Sequence, residues 1–141
     1  MSRVPAAKDL ARRQRRERGA AAVEFALVMP LLLILVLGIF EFGRAYNIQA
    51  TLSAAAREGV RVMAVQNSSS AARASTQTAA APSVSLTDGQ IAVSPGVCPA
   101  PGPGTTPATA TVTVTYPMAF VTGFFGASIT LTGKGVMRCN G

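Results

Sequence analysis

The chain has 141 residues, 49% of them apolar, with two Cys, no Trp and no His. Without His there is no Ser–His or Cys–His nucleophile pair, and two Cys alone make a poor metal site. The formal charge of +7 is uneven, since residues 1–19 hold seven Lys/Arg against two Asp/Glu and residues 20–141 hold six against four. A basic head of this kind can serve nucleic acid. Next to a long apolar run it reads instead as a topology signal that stays cytoplasmic. No phosphate loop of the Walker type occurs, and of the six acidic residues only Asp88 belongs to the part beyond the first 66 residues. Paired-carboxylate chemistry is therefore out of reach there. No enzyme, cofactor, metal, nucleic acid or small-molecule substrate is expected.

The head, residues 1–19, runs into an apolar segment. Phe25 to Phe40 carries no charge, but 16 residues rise only about 24 Å as a helix, short of the ~30 Å hydrocarbon core. Starting at Ala20 gives 21 residues and about 31 Å, which spans, and this count includes Glu24. A transmembrane helix is therefore expected over 20–42, with a carboxylate at or just inside one membrane face, where ionised groups are costly. At the other edge Phe40, Glu41, Phe42, Arg44 and Tyr46 mix aromatics with charges, as interfacial segments do. Glu41 and Arg44, one turn apart, are placed to pair. Pro30 removes one helical hydrogen bond and is expected to bend the helix, which membranes tolerate. A secretory signal peptide fits less well. Its apolar core would be shorter, and Glu41-Phe42-Gly43-Arg44 is a poor cleavage site.

Gly19, then Ala20-Ala21-Ala22-Val23-Glu24-Phe25, resembles a prepilin-type leader: a basic head, a glycine, and Glu at the fifth position after it. Glu24 through Leu33, Gly38 through Ala45, and Ala54 through Arg61 resemble the TadE-like family, pilin-like proteins of the tight-adherence (Flp-type) pilus system. Val112 to Pro117 and Ile129 to Thr132 resemble its C-terminal part more weakly. The resemblance implies cleavage by a prepilin peptidase between Gly19 and Ala20. It also implies a registering role for Glu24, beside Phe25, in assembly with other pilin subunits. The alternative for Glu24 is a boundary carboxylate facing headgroup water.

Beyond the membrane, 43–66 reads as an amphipathic helix, with Ala45, Ile48, Leu52, Ala55, Gly59 and Val62 at alternating spacings of three and four. Half of that stripe is Ala or Gly, which suits the underside of the chain's own small domain or a helix–helix surface. On the same helix, Glu58 is spaced to pair with Arg61, and Arg57 repels Arg61 mildly. Residues 67–83 are rich in Ser, Ala and Thr, end at Pro82–Ser83, and read as a frayed helix end and linker. The remainder, 84–141, reads as a small β-rich domain with a Pro-rich loop. Gln90–Val93 is a short strand candidate. Five of nine prolines fall between Pro95 and Pro107. Thr109 to Tyr116 alternates strictly, with Ala110, Val112, Val114 and Tyr116 on one face, and Pro117 is expected to end it. Phe120, Val121, Phe124 and Phe125 form an apolar connection whose phenylalanines pack inward or meet the membrane or a partner. Ile129 and Leu131 start a last strand, which Gly133-Lys134-Gly135 is expected to interrupt as a bulge or turn. Cys98 and Cys139 both lie outside, where oxidising surroundings allow a disulfide.

The expectation is thus an α+β membrane protein: a long N-terminal transmembrane and amphipathic helix followed by a small antiparallel outer domain. It is placed in a bacterial inner membrane as a single-pass protein with a cytoplasmic N-terminus, entering a surface pilus. The competing reading is an uncleaved single-pass protein whose outer domain binds on its own.

Overall fold

The structure is a computed structural model that describes residues 7–100, 102, 104, 106–123, 126 and 128–139, with side chains from Gly19 onward. It divides into two units, Met1–Phe40 and Glu41–Gly141. The class is α+β: a long helix and then a small antiparallel sheet.

Helix α1, Ala7–Gln66, is the first element, and Pro30 lies inside it without ending it. In the first unit it is an apolar helix, exposed along its described side chains as far as Val36. Val23, Phe25, Leu27, Leu31, Leu35 and Ile39 are all more than half exposed. A surface helix of a soluble domain buries one apolar face and exposes a polar one; a helix apolar all round calls for an apolar surround on every side. Among the described residues, Gly19–Gln66 is the one stretch long and apolar enough to cross a membrane.

In the second unit α1 becomes amphipathic. Ala45, Ile48, Leu52, Ala55, Ala56, Val60 and Met63 are buried, while Tyr46, Ala54, Arg57 and Arg61 are exposed. This stripe is the floor of the domain's own core. Helix α1 stops at Asn67, whose φ of 51° puts it in the left-handed conformation and whose N–H donates to Met63 O at 3.0 Å.

The Ser/Ala/Thr-rich segment is mostly helix rather than linker: α2 spans Ser69–Ala80. Ser68 caps it, its hydroxyl accepting from Ala71 N–H at 3.3 Å. Ala72, Thr76 and Ala80 recur every fourth residue and are buried. Thr76 passes as apolar because its hydroxyl donates to Ala72 O at 2.8 Å within the same helix. Helix α2 lies so close to α1 that a methyl group at Gly59 would overlap the Thr76 hydroxyl.

A 3₁₀ turn at Asp88–Gln90 leads into β1, Ile91–Ser94, followed by β2, Thr109–Ala119, and β3, Ser128–Arg138. The sheet order is β1-β2-β3, antiparallel throughout. The alternation expected in β2 holds: Ala110, Val112, Val114 and Met118 are buried, with Tyr116 half-buried, and the threonines between them face outward. Two boundaries differ from expectation. Pro117 does not end β2 but pairs with Thr130, because β1 reaches only Val114 and leaves that stretch without a strand on its other side. Nor do Gly133 and Gly135 interrupt β3. They pair with Val114 and Val112. A Cβ at Gly133 would overlap the Leu52 carbonyl of α1, and one at Gly135 the Ala56 carbonyl. Glycine is needed here because strand backbone lies directly on helix backbone.

Candidate functional site

The predicted processing and assembly residues all lie on α1. Gly19 is exposed, and nothing lies within 4 Å of where a side chain there would begin. Ala20 is exposed, as is Glu24 four residues on, one helical turn away. Phe25 is 66% exposed. Among the described residues, no ion pair joins Glu24 to another side chain. Within one chain these groups are presented and not engaged. The side chains of the basic head lie outside the described residues.

Glu41, the first residue of the second unit, has a different role from the one its sequence position suggested. It was expected to pair with Arg44, one turn on. Instead its side chain is fully buried, and Oε1 accepts from Val121 N–H at 2.6 Å, Thr122 N–H at 2.9 Å and the Thr122 hydroxyl at 3.3 Å. Oε2 is buried without a hydrogen-bond partner among the described residues. Arg44 turns away to donate from Nη1 to Ala119 O at 3.2 Å. Both side chains of the expected pair therefore hold the backbone of the β2–β3 connection. A carboxylate accepting two amide N–H groups makes charge-assisted bonds, stronger than neutral ones. The sequence signal was present: a carboxylate directly after an apolar run needs donors, and a chain turning between two strands has unpaired N–H groups. Phe124 and Phe125, expected to pack or to meet a membrane or partner, lie outside the described residues.

Further along α1, Glu58 and Arg61 form the expected pair, a two-bonded contact at 2.9 and 3.1 Å. The Arg61 hydrogen bond and then its charge hold the Glu58 carboxyl below its ordinary range, and Glu58 in turn raises Arg61. Arg57 donates from Nε to the Ser53 carbonyl at 3.2 Å. With Ala54, Val60, Val136 and Met137 these residues line an open groove between α1 and β3.

Cys98 and Cys139 are joined by a disulfide, with Cα atoms 5.6 Å apart. Cys139 N–H also donates to Ala108 O at 2.7 Å. Asn67 adds a second tie that sequence reasoning missed. Its amide oxygen accepts from Cys98 N–H, and its Nδ2 donates to Cys98 O at 3.1 Å. One residue thus ends α1 and fixes the start of the proline loop, of which Pro101 and Pro103 lie outside the described residues. Among the described residues no cluster of His, Cys, Asp and Glu is suited to a metal ion.

Residues 19–61 match the model of the family described as TadE-like protein. The match covers the exposed helix, Glu24, Glu41 and the Glu58–Arg61 pair, and stops before α2 and the sheet. No curated protein and no solved structure matches the chain.

Proposed function

We propose, from the TadE-like match over residues 19–61, that this is a pilin-like protein associated with tight-adherence pili, a minor pilin or pilin-like assembly component cut after Gly19 and assembled through its N-terminal helix. Residues 1–19 are a leader, 20–42 the membrane helix, and 43–141 the part carried outside a bacterial inner membrane. The role is structural rather than catalytic. The observation that carries this reading is the exposed apolar helix that follows an unobstructed glycine within the TadE-like segment.

The chemistry is a hydrolysis. A prepilin peptidase would break the Gly19–Ala20 peptide bond, leaving the Gly19 carboxylate on the leader and a free ammonium on Ala20. That ammonium lies one turn from Glu24, on the same subunit or a neighbour. In a low-dielectric surround each charge alone is costly, and pairing offsets part of that cost. Glu24 would thereby set one subunit's register against the next, with Phe25 beside it on the exposed helix.

N-terminal sequencing of the membrane form, from cells with and without prepilin peptidase, tests the cut. The mature chain is expected to begin at Ala20, and only when the peptidase is present. An intact N-terminus in both strains would instead favour an uncleaved single-pass protein. Glu24→Ala is expected to leave membrane insertion intact and to lower the fraction recovered with other pilus subunits; normal incorporation would remove the registering role.

A further inference from the structure

The β2–β3 connection is an uncharged segment: from Pro117 to Leu131 the sequence has no Asp, Glu, Lys or Arg. Its backbone is fixed to two neighbouring positions of α1, through Glu41 to Val121 and Thr122 and through Arg44 to Ala119. Glu41 directly follows Phe40, the last residue of the uncharged run on α1. At this level of the helix Phe40 and Phe42 are about 60% exposed, and one turn on Tyr46 is 79% exposed. Exposed aromatics at the end of an apolar helix mark the headgroup level of a bilayer. The connection, bonded to Glu41, presents Val121, 70% exposed, with Thr122 half-buried and Gly123 turning at φ 66°. Two of the turn's backbone N–H groups, those of Val121 and Thr122, which would resist entry into a membrane unbonded, already donate to Glu41.

We propose that the segment Ala119–Gly123 is a second membrane-contact site, resting in the boundary between lipid headgroups and acyl chains and held at that depth by the Glu41 carboxylate. The occupant is the lipid bilayer. This rests on the reading of 20–42 as a membrane span and goes beyond it, by giving the second unit a lipid contact of its own at this turn. The buried carboxylate makes the turn a fixed feature of the domain, so the contact does not have to order a floppy loop on arrival.

The chain contains no Trp, so single indoles report cleanly. The full-length protein would be reconstituted in phosphatidylcholine–phosphatidylglycerol vesicles, with and without lipids brominated high on the acyl chain. Three variants are compared: Val121→Trp at the turn, Leu35→Trp within the span, and Ala92→Trp on an exposed strand position. The Val121→Trp indole is expected to emit further to the blue than that of Ala92→Trp, to lose most of its emission to brominated lipid, and to resist aqueous iodide. The Leu35→Trp indole should be quenched by lipid, and the Ala92→Trp indole by iodide. Lipid quenching at position 35 with iodide quenching at 121 overturns the second contact while leaving the span intact. Absence of lipid quenching at position 35 overturns the span, and this inference with it. Val121 is exposed, so its replacement leaves the core untouched.

Discussion

Glu41 accepts three hydrogen bonds through one oxygen, and two of the donors are backbone amides that have no other described acceptor. Removing the carboxylate by Glu41→Ala deletes charge-assisted bonds and leaves those amides without an acceptor, at a cost of about 2–3 kcal/mol. Thermal unfolding of the detergent-solubilised protein, followed by its β-sheet signal, should show the loss. A midpoint equal to the parent's would contradict the clamp. Glu58 is a contrasting carboxylate, exposed and paired at the surface, where ion pairs contribute little. Its folded carboxyl is held below the ordinary range by Arg61. The stability it contributes is therefore present above the unfolded carboxyl's pKa and fades as pH falls through the lower folded value. An NMR titration of the Glu58 side chain should show its midpoint move up toward the ordinary range in Arg61→Ala, with the fold unchanged.

At the scale of elements, β3 packs on α1 backbone against backbone. Gly135→Ala forces a methyl group into the Ala56 carbonyl, and neither backbone can yield as a flexible side chain would. Overpacking of this kind costs about 1–3 kcal/mol, whereas Lys134→Ala, one residue away and exposed, should stay within about 0.5 kcal/mol. Denaturant unfolding of the two variants distinguishes a glycine required by contact from one serving a bulge. The first part of α1 was read from its unbroken apolar length. Sequence periodicity was enough to read the amphipathic part of α1 and β2, because each repeats apolar residues at a regular spacing over many positions. It was not enough for β3, whose inward face at 133 and 135 is glycine, since the apolar surface it covers is supplied by another element. Helix α2 was hidden for a related reason: Ala72, Thr76 and Ala80 are a buried face without large side chains. Pro117 was misread because a proline's effect depends on whether a neighbouring strand is present, and that is a property of the sheet rather than of the strand.

For the whole molecule, the disulfide joins positions 41 residues apart and ties the proline loop to the chain's end. Cys139→Ser, or reduction, should lower stability by about 4 kcal/mol in the chain-entropy account. Unfolding of the parent with and without reductant checks this, and a non-reducing gel should show the compact form only for the parent. The pairing was readable from two cysteines expected in one oxidising region beyond the apolar helix. The second tie, Asn67 on Cys98, was not, because nothing in the sequence relates residues 31 apart through a single amide. The candidate processing residues rest on a local signal, lying in Gly19, Ala20, Glu24 and Phe25 themselves, and N-terminal sequencing is what tests them. The two glycines of β3 carry a mechanical consequence. Gly133 sits on α1 at Leu52–Ser53 and Gly135 one turn further along at Ala56–Arg57, so strand and helix run in the same direction across their contact. A tensile load applied along α1 therefore shears this contact, and its close backbone seats must slip together instead of opening one after another. Resistance to such a load is set by the rate of that concerted slip, which suits a domain that shares its principal helix with its anchor.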